Sequence, residues 1–268
     1  MFEAIILPTR RNGEKKNKLN RILWIIIIFL ILLIIIELVV QLFIFPKLVI
    51  KQIEVISELD LSREKLMSIA GIRDNEYYFA IDINLIRERL ESYAMVREAI
   101  VEKVFPDTLK IELNKRIPLA ISMGEADGYT VPVVFDENGV VFQIGDAISD
   151  WDLPVISGLR FKPLVGMKFP ERLKSFLHDI QTLKTASPEI FRLISEIKVV
   201  SVNEINYELI VYPVNHNIGL NLGNVINSDL LKYAFMVLVV LEEDGISDNV
   251  DEIDFRTGEI VYKLKEGS

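Results

Sequence analysis

An apolar stretch near the start of the chain constrains the fold more than any other feature of the sequence. Fifteen consecutive apolar residues run from Ile22 to Ile36, and the apolar pattern resumes after Glu37 and continues to Phe45. As a helix, residues 22–45 would be about 36 Å long, which is enough to cross a hydrocarbon core of about 30 Å. The favourable free energy of inserting these apolar side chains into the bilayer exceeds the free-energy cost of inserting one acidic residue, so the stretch predicts a transmembrane helix.

A cleaved signal peptide is the rival interpretation, because it also places a basic segment before an apolar one. This apolar run is longer than the core of a signal peptide, and residues 41–46 contain no small-x-small cleavage motif. The helix is therefore expected to remain attached to the rest of the chain as an anchor.

Charge is distributed unevenly on the two sides of this helix. Residues 1–21 carry six Lys or Arg and two acidic side chains, whereas the rest of the chain has a net charge of −13. Basic flanks stay in the cytoplasm, so residues 1–21 are predicted to be a cytoplasmic tail and the residues after the helix to lie outside. An acidic body is expected not to bind nucleic acid, whose phosphates would repel it.

Two polar residues interrupt the apolar helix. Gln41 follows Glu37 by four residues, which places both on one face of a regular helix. Two interpretations remain open: the side chains reach toward the membrane interface, or they hydrogen-bond to the helix of a partner. Under the second interpretation, Glu37 and Gln41 form a transmembrane helix contact.

The patterning after the helix predicts a small unit with the order strand, helix, helix, strand, strand. Ser62 is the expected N-cap of the first helix and Gly71 its terminator, and Phe105-Pro-Asp-Thr108 has the composition of a tight turn. The elements are predicted at residues 49–56, 61–71, from about 84, 98–104 and 108–114.

The remaining residues predict a β-rich domain with two amphipathic helices. A hairpin is expected over residues 133–142, with its turn at Asp136 to Gly139. The helices are predicted at 171–186 and 229–243, and the further strands at 194–202, 207–212, 218–222, 252–256 and 259–265.

The final predicted strand, residues 259–265, is expected to lie at a sheet edge because it is the last of the sequence and carries lysines. Its lysines would protect such an edge from aggregation. Alternatively, a partner segment would pair with its free backbone groups by β-augmentation. Both interpretations remain open from the residues alone.

Several segments resemble the FtsQ and DivIB family of bacterial cell-division proteins. The resemblance implies an α+β fold with a single N-terminal transmembrane helix, a POTRA domain (β-α-α-β-β) and a C-terminal mixed β-sheet domain with flanking helices. The expected boundaries are 1–21 for the tail, 22–45 for the helix, 47–122 for the POTRA domain, 123–265 for the β domain and 266–268 for a tail. The likeness rests on Ile53-Glu-Val55, Ala70-Gly-Ile72, Phe105-Pro106, Leu109-Lys-Ile111, Arg116-Ile-Pro-Leu-Ala120 and Asp152-Leu-Pro-Val-Ile-Ser-Gly158.

The same resemblance implies a function. The chain is expected to be a non-catalytic bitopic scaffold of the divisome at the septum, linking early division proteins to FtsB and FtsL and to septal peptidoglycan synthesis. Docking of FtsB is expected on Glu259, Ile260, Val261, Tyr262, Lys263 and Leu264. A recruitment surface is expected on the second POTRA strand, at Val101, Glu102, Lys103 and Val104.

Catalytic chemistry has little support in the sequence. There is no cysteine, the only histidines are His178 and His216, and the acidic residues between 242 and 254 lack the order of a calcium-binding loop. We therefore expect no cofactor and no metal. Two alternatives stay open: a POTRA-containing component of a protein transport or assembly machine, which would need a long barrel region, and a membrane-anchored extracytoplasmic enzyme.

Overall fold

The first helix is the part of the fold that the sequence predicts most directly. The computed structural model describes residues 13–44, 48–145, 148, 152–257 and 259–265. Helix α1 spans Gly13–Val39 and continues as a π-helical turn, Val40–Ile44. Within the described residues it is the one helix long and apolar enough to cross a membrane, over Asn20–Phe43 with a mean hydropathy of 3.5. Residues 1–12 of the predicted tail, Phe45, Lys47 and residues 266–268 lie outside the described residues.

The residues after α1 form a first lobe, which we define as residues 48–115. It contains a three-stranded sheet in the order β1-β3-β2, with β1 parallel and β2 antiparallel to β3. The Ser62 side chain accepts from the Lys65 N–H and caps α2, and Gly71 ends that helix with a φ of +67°. The elements are β1 (Gln52–Ser57), α2 (Arg63–Ala70), α3 (Ile83–Glu91), β2 (Val96–Val104) and β3 (Thr108–Lys115).

A second lobe, residues 120–265, is built on a nine-stranded mixed sheet. Its order is β12-β11-β10-β9-β8-β7-β4-β5-β6, and the predicted α+β fold is confirmed. The strands are β4 (Ala120–Ala126), β5 (Tyr129–Phe135), β6 (Val141–Ile144), β7 (Val155–Ser157), β8 (Ile194–Ser201), β9 (Tyr207–Pro213), β10 (Gly219–Gly223), β11 (Val250–Asp254) and β12 (Val261–Leu264). The helices are α4 (Lys174–Ala186), α5 (Pro188–Phe191) and α6 (Ser228–Glu243), with 3₁₀ turns at Glu171–Leu173 and Ser247–Asn249.

Strands β4 to β6 carry buried side chains on both faces. Val133 and Phe135 belong to the main core beneath the helices. Val134 belongs to a smaller cluster on the opposite face, together with Ile121, Phe142 and Ile148, and Ala94 and Met95 of the first lobe pack against it. The two lobes therefore share an apolar contact.

Strand β4 and its hairpin with β5 were not expected from the sequence. The two strands are joined by Asp127-Gly128, with φ of +51° and +80°, the conformation of a two-residue type I′ turn. The Asp-Gly pair is the signal that could have revealed this hairpin. Because β4 starts at Ala120, the expected domain boundary between residues 122 and 123 falls inside this strand.

Candidate interaction surfaces

Strand β12 lies at one edge of the nine-stranded sheet. It pairs in antiparallel register with β11, and no other described strand pairs with it. The apolar side chains of Val261, Tyr262 and Leu264, and that of Ile260 just before the strand, are exposed on both faces, by 41% to 57%. Both Glu259 and Lys263 are also exposed, and Lys263 lies 3.8 Å from Asp251. All six residues expected at the docking strand are therefore accessible.

The backbone of β12 faces alternately toward β11 and toward solvent. The Lys265 N–H donates to the Asn249 carbonyl at 2.8 Å, so the backbone N–H of Lys265 points toward the β11 side. On the other side of β11, the Phe255 N–H donates to the Asn221 carbonyl of β10 at 2.9 Å. The backbone N–H of Phe255 therefore points away from β12. Backbone direction alternates along a strand, so the N–H and C=O groups of Ile253, two residues before Phe255, also point away from β12. Tyr262 lies opposite Ile253, and its own N–H and C=O groups therefore point outward, away from β11.

A charged cluster holds the turn between β11 and β12. The Arg256 guanidinium donates from Nε and Nη2 to both carboxylate oxygens of Asp254 and from Nη1 to Glu208 at 2.6 Å. The hydrogen bond from Arg256 holds the pKa of Asp254 below its usual value, and hydrogen bonds with Asp254 and Glu208 raise the pKa of Arg256. The cluster fixes where the chain leaves β11 before it returns as β12.

The lowered pKa of Asp254 predicts an acid-sensitive contribution to stability. Since the folded state favours the carboxylate, the contribution is present above the unfolded pKa of about 3.9 and is lost as the pH falls through the lower folded pKa. The Asp254→Asn variant should therefore melt below the unmodified protein at pH 7, and the two melting temperatures should converge on acidification below about pH 4. Circular dichroism melts over a pH series measure this, and a difference that stays constant down to pH 2 would contradict it.

The expected recruitment residues lie on β2, a free edge of the three-stranded sheet. Val101 is buried in the core of the first lobe and cannot offer its side chain to a partner. Glu102 and Val104 are exposed, whereas Lys103 is half-buried with its amino group 5.5 Å from the centre of the Tyr78 ring. The accessible part of this surface is therefore smaller than the sequence suggests.

Glu37 and Gln41 are both exposed on the apolar helix. Gln41 belongs to the π-helical turn Val40–Ile44, whose hydrogen bonds span five residues instead of four. The regular α-helical register expected to align the two side chains is therefore interrupted at Val40.

A buried ion pair connects the two lobes. Asp136 is fully buried, and its carboxylate accepts from Nη1 of Arg116 and from the N–H groups of Asn138 and Val140 at 3.0 and 2.9 Å. Nε of Arg116 donates to the Ala94 carbonyl at 2.8 Å. Arg116 thus joins the turn before β2 to the β5–β6 turn. Sequence patterning places Asp136 in a turn and provides no sign of this partner.

The histidines lie apart from one another. His178 is exposed on α4, and Nδ1 of His216 lies 2.9 Å from a carboxylate oxygen of Glu242. Over the part of the chain that the structure describes, no group of three or more His, Asp or Glu side chains is arranged to hold a metal ion.

Comparison with known proteins identifies the first lobe. Residues 48–116 match the family model described as "POTRA domain, FtsQ-type". The chain is similar to the FtsQ and DivIB cell division proteins. It is 28% identical over 180 residues to the cell division protein FtsQ of Geobacter sp. (strain M21), which covers 65% of this chain and 61% of that one. It is 24% identical over 231 residues to the cell division protein DivIB of Clostridium tetani, covering 84% and 83% of the two chains.

The POTRA match agrees with the β-α-α-β-β order of the first lobe. The chain spans less than two thirds of the length of the Geobacter FtsQ that it matches. A solved extracytoplasmic domain of DivIB from Geobacillus stearothermophilus aligns with 47% of this chain and 94% of its own length, at 17% identity and with a TM-score of 0.28. The relatives carry the names of cell division proteins and not of enzymes.

Proposed function

We propose that this protein is a non-catalytic bitopic scaffold of the bacterial divisome. In this proposal α1 crosses the inner membrane with residues 1–21 in the cytoplasm, and the POTRA domain and the β domain lie outside at the division septum. The basic tail and the acidic body support this orientation. The relationship to FtsQ and DivIB supports a role in division.

The observation that carries the proposal is the free edge of β12. Its outward backbone groups are unpaired within the described sheet, and exposed apolar side chains lie on both faces of the strand. An edge of this kind suits β-augmentation, in which backbone hydrogen bonds provide affinity and side chains provide selectivity. We propose that a bitopic division protein of the FtsB or FtsL kind adds a strand along Glu259, Ile260, Val261, Tyr262, Lys263 and Leu264, linking the chain to septal peptidoglycan synthesis.

Two further contacts belong to the same proposal. The exposed side chains of Glu102 and Val104, beside Val101 and Lys103, would contribute to recruitment of the protein by other division proteins. Glu37 and Gln41 would hydrogen-bond to a partner helix, because a polar residue in the membrane is more favourable against protein than against lipid.

Topology and localisation test the proposal in cells. A fluorescent fusion is expected to concentrate at the septum of dividing cells. Protease added to intact spheroplasts should digest the β domain and leave an epitope tag placed before Gly13 intact, and lysis should then expose the tag. Digestion of the tag with protection of the β domain would invert the orientation and overturn the proposal, and a uniform distribution in dividing cells would argue against a septal role.

A further inference from the structure

An exposed aromatic cluster lies at one end of the POTRA domain and has no role in the proposed scaffold. Phe79 and Phe105 are 59% and 70% exposed, although phenylalanine is usually buried. Their rings lie 5.2 Å and 6.1 Å from the ring of Tyr78, and Tyr77 lies 5.7 Å from Phe79. We call these four residues the aromatic tip.

The backbone places Phe79 at the end of the domain where the chain arrives from α1. The Tyr78 N–H donates to the Leu48 carbonyl, and the Ile50 N–H donates to the Glu76 carbonyl, both at 2.9 Å. Residues 48–50 and 76–78 are antiparallel. As the chain passes from Glu76 to Phe79, it therefore runs toward the end of the domain that contains Leu48. Phe79 therefore lies at the end of the domain where Leu48 begins it.

A second set of contacts places Phe105 at the same end. Strand β1 is parallel to β3, and Gln52 at the start of β1 is opposite Thr108 at the start of β3. The Lys51 N–H donates to the Asp107 carbonyl at 2.9 Å. The turn that carries Phe105 is thus fastened to the residues through which the chain enters the domain.

The length of the connection limits how far this end can be from the bilayer. Three residues separate Ile44, at the end of the π-helical turn, from Leu48, which is buried in the POTRA domain. Four Cα–Cα steps span at most about 14 Å when fully extended. If α1 crosses the membrane with its apolar span ending near Phe43, five Cα–Cα steps put Leu48 within about 18 Å of the outer boundary of the hydrocarbon core, so this end of the domain is held at the membrane surface.

From these contacts we infer that the aromatic tip inserts its two exposed rings, Phe79 and Phe105, into the lipid interface of the membrane that α1 crosses. Aromatic rings favour this layer, where an apolar body meets water and headgroups. Lys103, whose amino group lies over the Tyr78 ring at 5.5 Å from its centre, would bring a positive charge to the lipid phosphates beside the inserted rings. The contact would fix the orientation of the POTRA domain on the membrane. It rests on the membrane-spanning part of the proposed function and adds a second, lipid-binding surface.

Spin labelling of the full chain tests this inference, and the absence of cysteine makes single-site labelling straightforward. Nitroxides are attached to Phe79→Cys and Phe105→Cys in nanodiscs of phosphatidylethanolamine and phosphatidylglycerol that contain this protein alone. Tyr129→Cys is the matched control, because Tyr129 is an aromatic residue 76% exposed on the other lobe. Collision rates with oxygen, which concentrates in lipid, and with a water-soluble nickel chelate report the depth of each label.

Labels at 79 and 105 are expected to have an oxygen-to-nickel ratio several-fold above that at 129. Equal ratios at the three sites would overturn the inference. Shielding that appears only after other membrane proteins are added would also overturn it, by identifying a protein as the occupant.

A fourth label at Ile31→Cys, in the middle of α1, separates the two proposals. A water-accessible label at 31 contradicts the membrane span itself, whereas a lipid-buried label at 31 with water-accessible labels at 79 and 105 contradicts only the aromatic tip.

Discussion

Replacing Asp136 by alanine is expected to lower the free energy of unfolding by about 3–5 kcal/mol. The substitution leaves Arg116, whose side chain is 13% exposed, without its carboxylate, and it removes the acceptor of the N–H groups of Asn138 and Val140. A loss of this size corresponds to a decrease of about 10 °C in melting temperature for a body of this length. Thermal melts and urea titrations of the detergent-solubilised protein measure it.

The neighbouring residue provides a matched control for this prediction. Glu137 forms an ion pair with Arg97 at 3.2 Å between the same two lobes, but the Arg97 side chain is 48% exposed. The Glu137→Ala variant should therefore lose less than about 1 kcal/mol. Hydrogen exchange at residues 94–95 and 138–140 should increase in the Asp136 variant and not in the Glu137 variant. Similar losses of stability in the two variants would show that burial of Asp136 is not what makes its ion pair strong.

Replacing Tyr262 by proline is expected to weaken capture of the partner by about 10- to 100-fold. Proline has no N–H, and the N–H of Tyr262 is the donor that the register of β11 and β12 directs outward. An added strand would lose this hydrogen bond, while the pairing of β12 with β11 uses the groups of Val261 and Lys263 and should persist. Binding of a peptide from the extracytoplasmic part of an FtsB-like partner, measured by fluorescence anisotropy, gives the change in Kd.

The Tyr262→Thr variant separates the backbone contribution from that of the side chain. Threonine keeps the N–H, favours a strand and removes the ring, so its affinity should exceed that of the proline variant by about ten-fold. Melting temperatures of both variants check that the fold is retained. If the proline and threonine variants bind equally well, the backbone of β12 is not the docking element and the β-augmentation proposal fails.

The individual helices and strands could be predicted because their signals are local. Ser62 and Gly71 bound α2 as expected, and the hairpin turn at Asp136 to Gly139 joins β5 to β6. Strands β2, β3, β8, β9 and β10 lie within a few residues of their predicted positions. The β4–β5 hairpin was missed because β4 contains Gly124 and Glu125, which weaken its apolar alternation.

The candidate surfaces were predicted less completely than the elements. The position of β12 at a sheet edge was expected, and the exposure of its side chains agrees with that expectation. Burial of Val101 was not anticipated, because β2 has apolar residues on both faces: Ala99 and Val101 on the buried one, Ile100 and Val104 on the exposed one. The prediction that Glu37 and Gln41 share a face requires a regular α-helix, and the π-helical turn that begins at Val40 interrupts that regular spacing.

By itself, the sequence determined the long apolar helix α1 and most of the secondary structure, because hydrophobic length, side-chain periodicity and capping act between residues close together in the chain. Only the tertiary structure decided that β7 lies between β4 and β8, that Arg116 reaches Asp136, and that Phe79 and Phe105 both pack against Tyr78. Such contacts join residues far apart in sequence. They depend on which combination of strand pairings and buried charges is stable as a whole, and a local sequence pattern contains no information about that combination.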